Sequence, residues 1–199
     1  MSYKLERLEK AAALERKSAW SELLSFCTEW SAEEPLNPLP WQGIGDAQRK
    51  LGNPREAVAT YLKGLDVAPP QPMELLGNVL GPLWYRLGQT YGELGETQNS
   101  IRAFNEAAQV DPGVADIWND LGVAYCNLTP IDAKSASEAF RMAIKLDPTN
   151  LNSLKNLGIV YAMCDMQQGV TQVHQELSKL NARAARDFLE QANQILARH

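Results

Sequence analysis

Two histidines, three cysteines and the spaced carboxylates Asp116 and Asp120 are residues of this chain that could do more than pack. His199 is the last residue, and chain ends fray. His174 stands beside an apolar stripe of Val170, Val173, Leu177 and Leu180, which marks it as a surface or rim histidine. Cys164 and His174 are ten residues apart, with no second pair of ligands at zinc spacing. Asp116 and Asp120 share a helical face at i and i+4, a spacing that would suit a carboxylate pair. They follow "DPGVA", in the first turns of a helix, where negative charge complements the positive end of the helix dipole. Cys126, further along the same helix, reads as a small apolar residue. The G-x-S-x-G, phosphate-loop and H-E-x-x-H patterns are absent from the sequence. These residues predict neither an enzyme nor a metal site, and they imply no cofactor.

The bulk composition narrows the partners. The chain has 199 residues, 45% hydrophobic and 22% charged, with a net charge of -5 and a pI near 5.1. Phosphate backbones call for clustered Lys and Arg, so nucleic acid is not expected. The stretch "MSYKLERLEKAAALERK" lacks the apolar run of a signal peptide. Nothing in the sequence reaches the roughly 18 apolar residues needed to span a bilayer, so direct membrane insertion is not expected. Cys27, Cys126 and Cys164 are odd in number and far apart. That suits reduced thiols in a cytoplasmic protein.

The elements that hold these residues are helical. Apolar residues recur at three and four, as in Ile101, Phe104, Ala107 and Ala108, or Phe140, Ala143, Ile144 and Leu146. One phrase returns. "WYRLGQTYGELG" at 84 and "WNDLGVAYCNLT" at 118 lie 34 residues apart, with further copies in "WQGIGDAQRKLG" at 41 and "LKNLGIVYAMCD" at 154. Second phrases follow and end in proline: "EAVATYLKGLDVAP", "NSIRAFNEAAQVDP" and "SEAFRMAIKLDP". Gly45, Gly88, Gly122 and Gly158 let a second helix approach closely. Ala57, Ser100, Ala107, Ala136 and Ala143 are the small residues on that second helix. Gly52 and Gly95 fall where first helices should stop. Asn53 and Pro54 offer an N-cap and a first helical residue, and Pro69, Pro112 and Pro148 end the second helices.

This pattern resembles the tetratricopeptide repeat (TPR), a helix-turn-helix of about 34 residues. The resemblance implies an all-α, right-handed superhelical solenoid of antiparallel helix pairs, four to five repeats long with a C-terminal capping helix. Repeats are expected at 38–71, 81–114, 115–150 and 151–181 of a single domain. A degenerate leading repeat would occupy 3–37, with helices near 3–16 and 19–32. An insertion would span 71–80 and a capping helix 182–199. A competing register makes 182–198 the second helix of the fourth repeat, since Ala185, Leu189 and Ala192 also fit. The apolar insertion around "QPMELLGNVLG" is either an extended first helix packing back on the first repeat or an exposed docking patch.

In the family, first helices line a concave groove that holds a peptide or a partner's helix. Carried onto this sequence, the first repeat contributes Gln42, Asp46, Arg49 and Lys50. The second contributes Tyr85, Gln89 and Glu93, with Arg86 at the edge. The third contributes Asp116, Asn119, Val123, Cys126 and Asn127. The fourth contributes Asn152, Lys155, Ile159 and Met163, with Asn156 at the edge. The asparagines suit a peptide backbone, since each offers a donor and an acceptor. Gln42 and Asp46 stand where co-chaperone members of the family place Lys and Asn, and Asp116 and Asp120 would repel a terminal carboxylate. The expected function is therefore an adaptor or assembly factor that binds a protein segment without chemistry of its own. The alternative is a self-associating scaffold, a homo-oligomer whose array ends and 71–81 stretch touch one another.

Overall fold

The computed structural model describes the backbone of residues 2–68 and 73–197, with side chains for 6–68 and 79–197. Eleven helices and no strand occur among the described residues. They are α1 (Ser2–Arg16), α2 (Trp20–Glu33), α3 (Pro38–Lys50), α4 (Pro54–Asp66), α5 (Met73–Glu93) and α6 (Thr97–Val110). There follow α7 (Ala115–Cys126), α8 (Ala133–Leu146), α9 (Leu151–Met163), α10 (Gln167–Leu180) and α11 (Ala182–Leu196). The chain divides into two compact units, Met1–Asp111 and Pro112–His199.

Helix ends follow local chemistry. Gly52 (φ 89°) and Gly95 (φ 74°) take the left-handed conformation just past α3 and α5, which costs glycine little. Asn53 and Pro54 open α4 as expected, but the Asn53 side chain makes no capping bond. Asp132, Asn150 and Asn181 do cap, accepting from backbone N–H groups in the first turns of α8, α9 and α11. Pro112 and Pro148 lie just beyond α6 and α8, while Pro69 is outside the described residues.

The glycines of the first helices are sites of close approach. A Cβ at Gly45 would lie 2.4 Å from the Tyr61 ring, and at Gly88 or Gly122 it would lie 2.6 Å from Phe104 or Phe140. Each ring fills the groove that its glycine leaves. Tyr61, Phe104 and Phe140 are buried, and burial of such a side chain contributes on the order of 1.5–3 kcal/mol. Gly158 differs. The ring against it is Phe188 of α11, with Val173 of α10 beside it. Helix α10 follows α9 directly, as the first register expects, yet α11 supplies the aromatic.

In the first unit, α1 is fastened to α2 by Arg7, which pairs with Glu33 and Glu34 and lies 5.8 Å from the Trp30 ring centroid. Helix α5 starts at Met73, so the backbone of the expected insertion continues into the first helix of the second repeat. Val79 packs on a core of Tyr61, Leu83, Leu87 and Ala103. Gln71 and Pro72 lie outside the described residues, as do the side chains of Met73, Leu75 and Leu76. No helix among the described residues is long and apolar enough to cross a membrane.

Candidate protein-interaction faces

Each unit presents a face built from its first helices, and the two faces are chemically unlike. In the first unit, α3 and α5 are bound together by their own charges. The Asp46 carboxylate is buried. It accepts from Tyr61 Oη at 2.7 Å and from Arg86 Nε at 3.0–3.1 Å. One turn further along α3, Arg49 Nη1 donates to Gln89 Oε1 at 3.0 Å and lies 3.6 Å from Glu93 Oε1. Tyr85 packs its ring against Phe104, 5.8 Å between centroids. Burial, and then the Asp46 charge, push the Tyr61 hydroxyl above its ordinary range. The same two causes raise the Glu15 carboxyl on α1, with Arg86 opposing them. Gln42 is half-buried beside α1, where it lines a shallow cavity of about 180 Å³ with Glu15, Cys27 and Gly43. Lys50 and Glu93 are exposed.

In the second unit, α7 and α9 are joined by neutral groups. Asn119 Oδ1 accepts from Ser153 Oγ at 3.1 Å and from Asn156 Nδ2 at 3.2 Å, and Asn119 Nδ2 donates to Asp120 Oδ1 at 3.1 Å. Asn119 and Asn156 thus hold two helices in register. Around that tie the surface carries apolar side chains among polar ones. Val123 is 37% exposed and Met163 42%, with Cys126 and Ile159 half-buried between core and solvent. Asp116, Asn127 and Asn152 are exposed, and Lys155 is half-buried. Burial, and then the nearby Cys164 thiol, push the Cys126 thiol up to about 11. No cluster of three or more His, Cys, Asp or Glu suited to a metal occurs among the described residues.

Several side chains that build these faces lie outside the repeat positions used to predict them. Ser153 is fully buried, and its backbone is already used by the Asn150 cap. Tyr61 carries a signal in the sequence. It is a hydroxyl-bearing ring where the next two repeats have Phe104 and Phe140. Asp46 directly follows Gly45, the glycine against which that ring packs.

Tetratricopeptide-repeat models match residues 40–71 and 85–150. The chain belongs to the tetratricopeptide repeat family. Its all-α array is similar to that of MamA (residues 41-end) from Desulfovibrio magneticus RS-1, with a TM-score of 0.73, 21% identity, and 89% of this chain and 94% of that one covered. YrrB, described as a TPR protein with an unusual peptide-binding site, gives a TM-score of 0.72 at 15% identity, covering 92% of this chain and 90% of its own. At these identities the likeness speaks for the fold. A stretch of 105 residues, 53% of the chain, is 30% identical to the Protein CTR9 homolog of Arabidopsis thaliana. The match spans only 8% of that relative's length. The repeat is a protein-interaction fold.

Proposed function

We propose that the chain is a non-catalytic binding module, an adaptor or assembly factor, whose second unit holds a peptide segment of a partner protein on the α7–α9 face. One observation carries the reading. The residue that follows the repeat glycine is Asp46 and then Gln89 in the first unit, but Val123 and then Ile159 in the second. A ligand on the first face has to compete with the Asp46–Arg86 and Arg49–Gln89 contacts already made. A ligand on the second face displaces water from Val123, Ile159 and Met163, which is favourable at roughly 25 cal/mol per Å² of apolar surface. Asn127 and Asn152 flank that surface with donors and acceptors for a main chain. YrrB, of like fold and described as a TPR protein with an unusual peptide-binding site, is consistent with a peptide as the ligand.

Selection of a phage-displayed random peptide library on the full chain, followed by calorimetry, tests it. Val123→Glu and Met163→Glu alter exposed positions, and each is expected to weaken the selected peptides about tenfold or more, roughly 1.4 kcal/mol. Lys50→Glu, on the other face, is expected to leave them unchanged. Equal binding to all three variants overturns the assignment. A concentration-dependent dimer that Val123→Glu and Met163→Glu both dissociate replaces it with self-association.

A further inference from the structure

Helix α9 presents a second, differently lined face. Ile159 and Met163 point to one side of it. Leu157 and Tyr161 are about 200° around the helix from them, and they line a cavity of about 330 Å³ bounded by α8 and α10. The cavity follows from a change in the repeat's own packing code. In α4, α6 and α8, small residues occupy the fourth and eleventh helical positions: Ala57 and Gly64, Ser100 and Ala107, Ala136 and Ala143. An aromatic sits between them at the eighth: Tyr61, Phe104 and Phe140. In α10 the corresponding residues are Val170, Leu177 and, at the aromatic position, His174. Bulk at the close-approach positions does not let two helices meet as small residues do. Phe188 of α11 covers Gly158, and Leu157, the residue before it, lines the cavity.

We infer that this cavity is a second binding site, one that takes a single apolar side chain of an extended peptide. The apolar lining is Ile144, Leu157 and Val173. Polar groups of both signs stand around it. Arg141 is exposed, yet its guanidinium is held in place: Nε and Nη2 donate to Tyr161 Oη at 3.1 and 2.7 Å. On α10, Gln172 Nε2 donates to Glu176 Oε1 at 3.2 Å. A phosphate or carboxylate drawn to Arg141 would also face Glu176, and a cation drawn to Glu176 would face Arg141. A peptide main chain brings a carbonyl for the guanidinium and an N–H for the carboxylate, with no net charge to be repelled. Size agrees. A cavity of about 150 Å³ suffices for benzene, and this one, at about 330 Å³, lies at the small end of the range of about 300 to 1,000 Å³ for bound molecules. That leaves room for a leucine- or phenylalanine-sized side chain together with its flanking amides.

Capped single residues are the probe: N-acetyl-leucine methylamide and N-acetyl-phenylalanine methylamide, with the glycine analogue as the version lacking a side chain. Each is titrated into the full chain with labelled methyl groups. Saturating shifts at Ile144, Leu157 and Val173 are expected with the leucine and phenylalanine probes and not with glycine. Val173→Trp and Ile144→Trp fill the space from opposite walls. Either one, with helical circular dichroism retained, is expected to abolish saturation, and Arg141→Ala to weaken it about threefold or more. Absence of saturation at millimolar probe overturns the inference. So do shifts that persist in a folded filling variant, or that the glycine probe reproduces. The α7–α9 face is reported by other methyls, those of Val123, Ile159 and Met163, so the two sites succeed or fail separately.

Discussion

Replacing Gly122 with alanine reverses the sign that helix propensity alone would give. Inside a helix, Gly→Ala is ordinarily stabilising by roughly 0.5–1 kcal/mol. Here the added Cβ lies 2.6, 2.7 and 2.8 Å from Cε1, Cδ1 and Cζ of Phe140, about 1 Å inside ordinary carbon contact. Phe140 is 1% exposed and belongs to a core with Ala136, Leu154 and Leu157, so the ring has little room to retreat. Overpacking of this kind costs about 1–3 kcal/mol. Taking the upper half of that range and subtracting the propensity gain leaves a net loss of about 1–2 kcal/mol. Gly92 supplies the control within the same chain. It is also helical, in α5, but a Cβ there meets only Ser100 Oγ at 3.6 Å. Gly92→Ala is thus expected to stabilise by about 0.5–1 kcal/mol. Repeat arrays do not always unfold as one step. The changes are therefore best read as local free energies from hydrogen exchange of α7, α8 and the end of α5. Combining Gly122→Ala with Phe140→Leu should cost less than the sum of the two single changes, by about 1 kcal/mol. A Gly122→Ala variant that stabilises as Gly92→Ala does, or a double variant that is simply additive, would rule out the clash with Phe140.

Two further perturbations probe the polar groups. Asp46→Ala leaves the buried Tyr61 hydroxyl and a mostly covered Arg86 without their shared acceptor, and urea unfolding is expected to show a loss of about 2–3 kcal/mol. Asp46→Asn, which keeps an accepting oxygen, should lose less, and a change below about 0.5 kcal/mol for Asp46→Ala would sink the clamp. The thiols should react in order of exposure and ionisation. At about pH 8 a thiol reagent is expected to label exposed Cys164 first. Cys126, pushed up to about 11, and Cys27, buried and pushed up to about 12, should lag. Their labelling should accelerate as the pH rises toward those values. Both shifts come first from burial, which disfavours the thiolate in the fold. The unfolded chain therefore releases protons above about pH 8.5 that the folded chain retains, and stability falls as pH rises through that window. Mass-spectrometric mapping that finds Cys27 or Cys126 labelled as fast as Cys164 would contradict it.

The helical array was legible because its packing code leaves a mark at every turn. A glycine that must accept a ring, the ring itself and a left-handed residue past the helix are each visible as residue types. Helices expected near 3–16 and 19–32 occur at Ser2–Arg16 and Trp20–Glu33. Periodicity states which face a residue occupies, but not which neighbour meets it there. Asp46 and Arg86 are 40 residues apart, and Asn119 and Asn156 are 37 apart. Repeat spacing makes such pairs neighbours. It does not say that they will satisfy one another rather than wait for a ligand. Phe188 illustrates the same gap. The stretch 182–198 offered Ala185, Leu189 and Ala192 as a second-helix pattern, yet the side chain that reaches Gly158 is the ring beside them. Only the direction of α11 in space decides that.

The contrast between the two faces follows from desolvation more than from charge count. Asp46, Arg86 and Arg49 are strongly polar, but much of that polarity is already spent within the first unit. A partner approaching there must break a contact made at 2.7–3.1 Å to make one of its own, which leaves little net gain. Asn119, Ser153 and Asn156 are likewise engaged, so Asn119 and Asn156 are poor anchors even though their chemistry suits a peptide. What the second unit leaves unsatisfied is apolar surface at Val123 and Met163, and such surface loses nothing when covered. Binding energy in this array should accordingly track apolar contact on α7 and α9. The polar residues should act chiefly by holding those helices at the spacing a ligand meets.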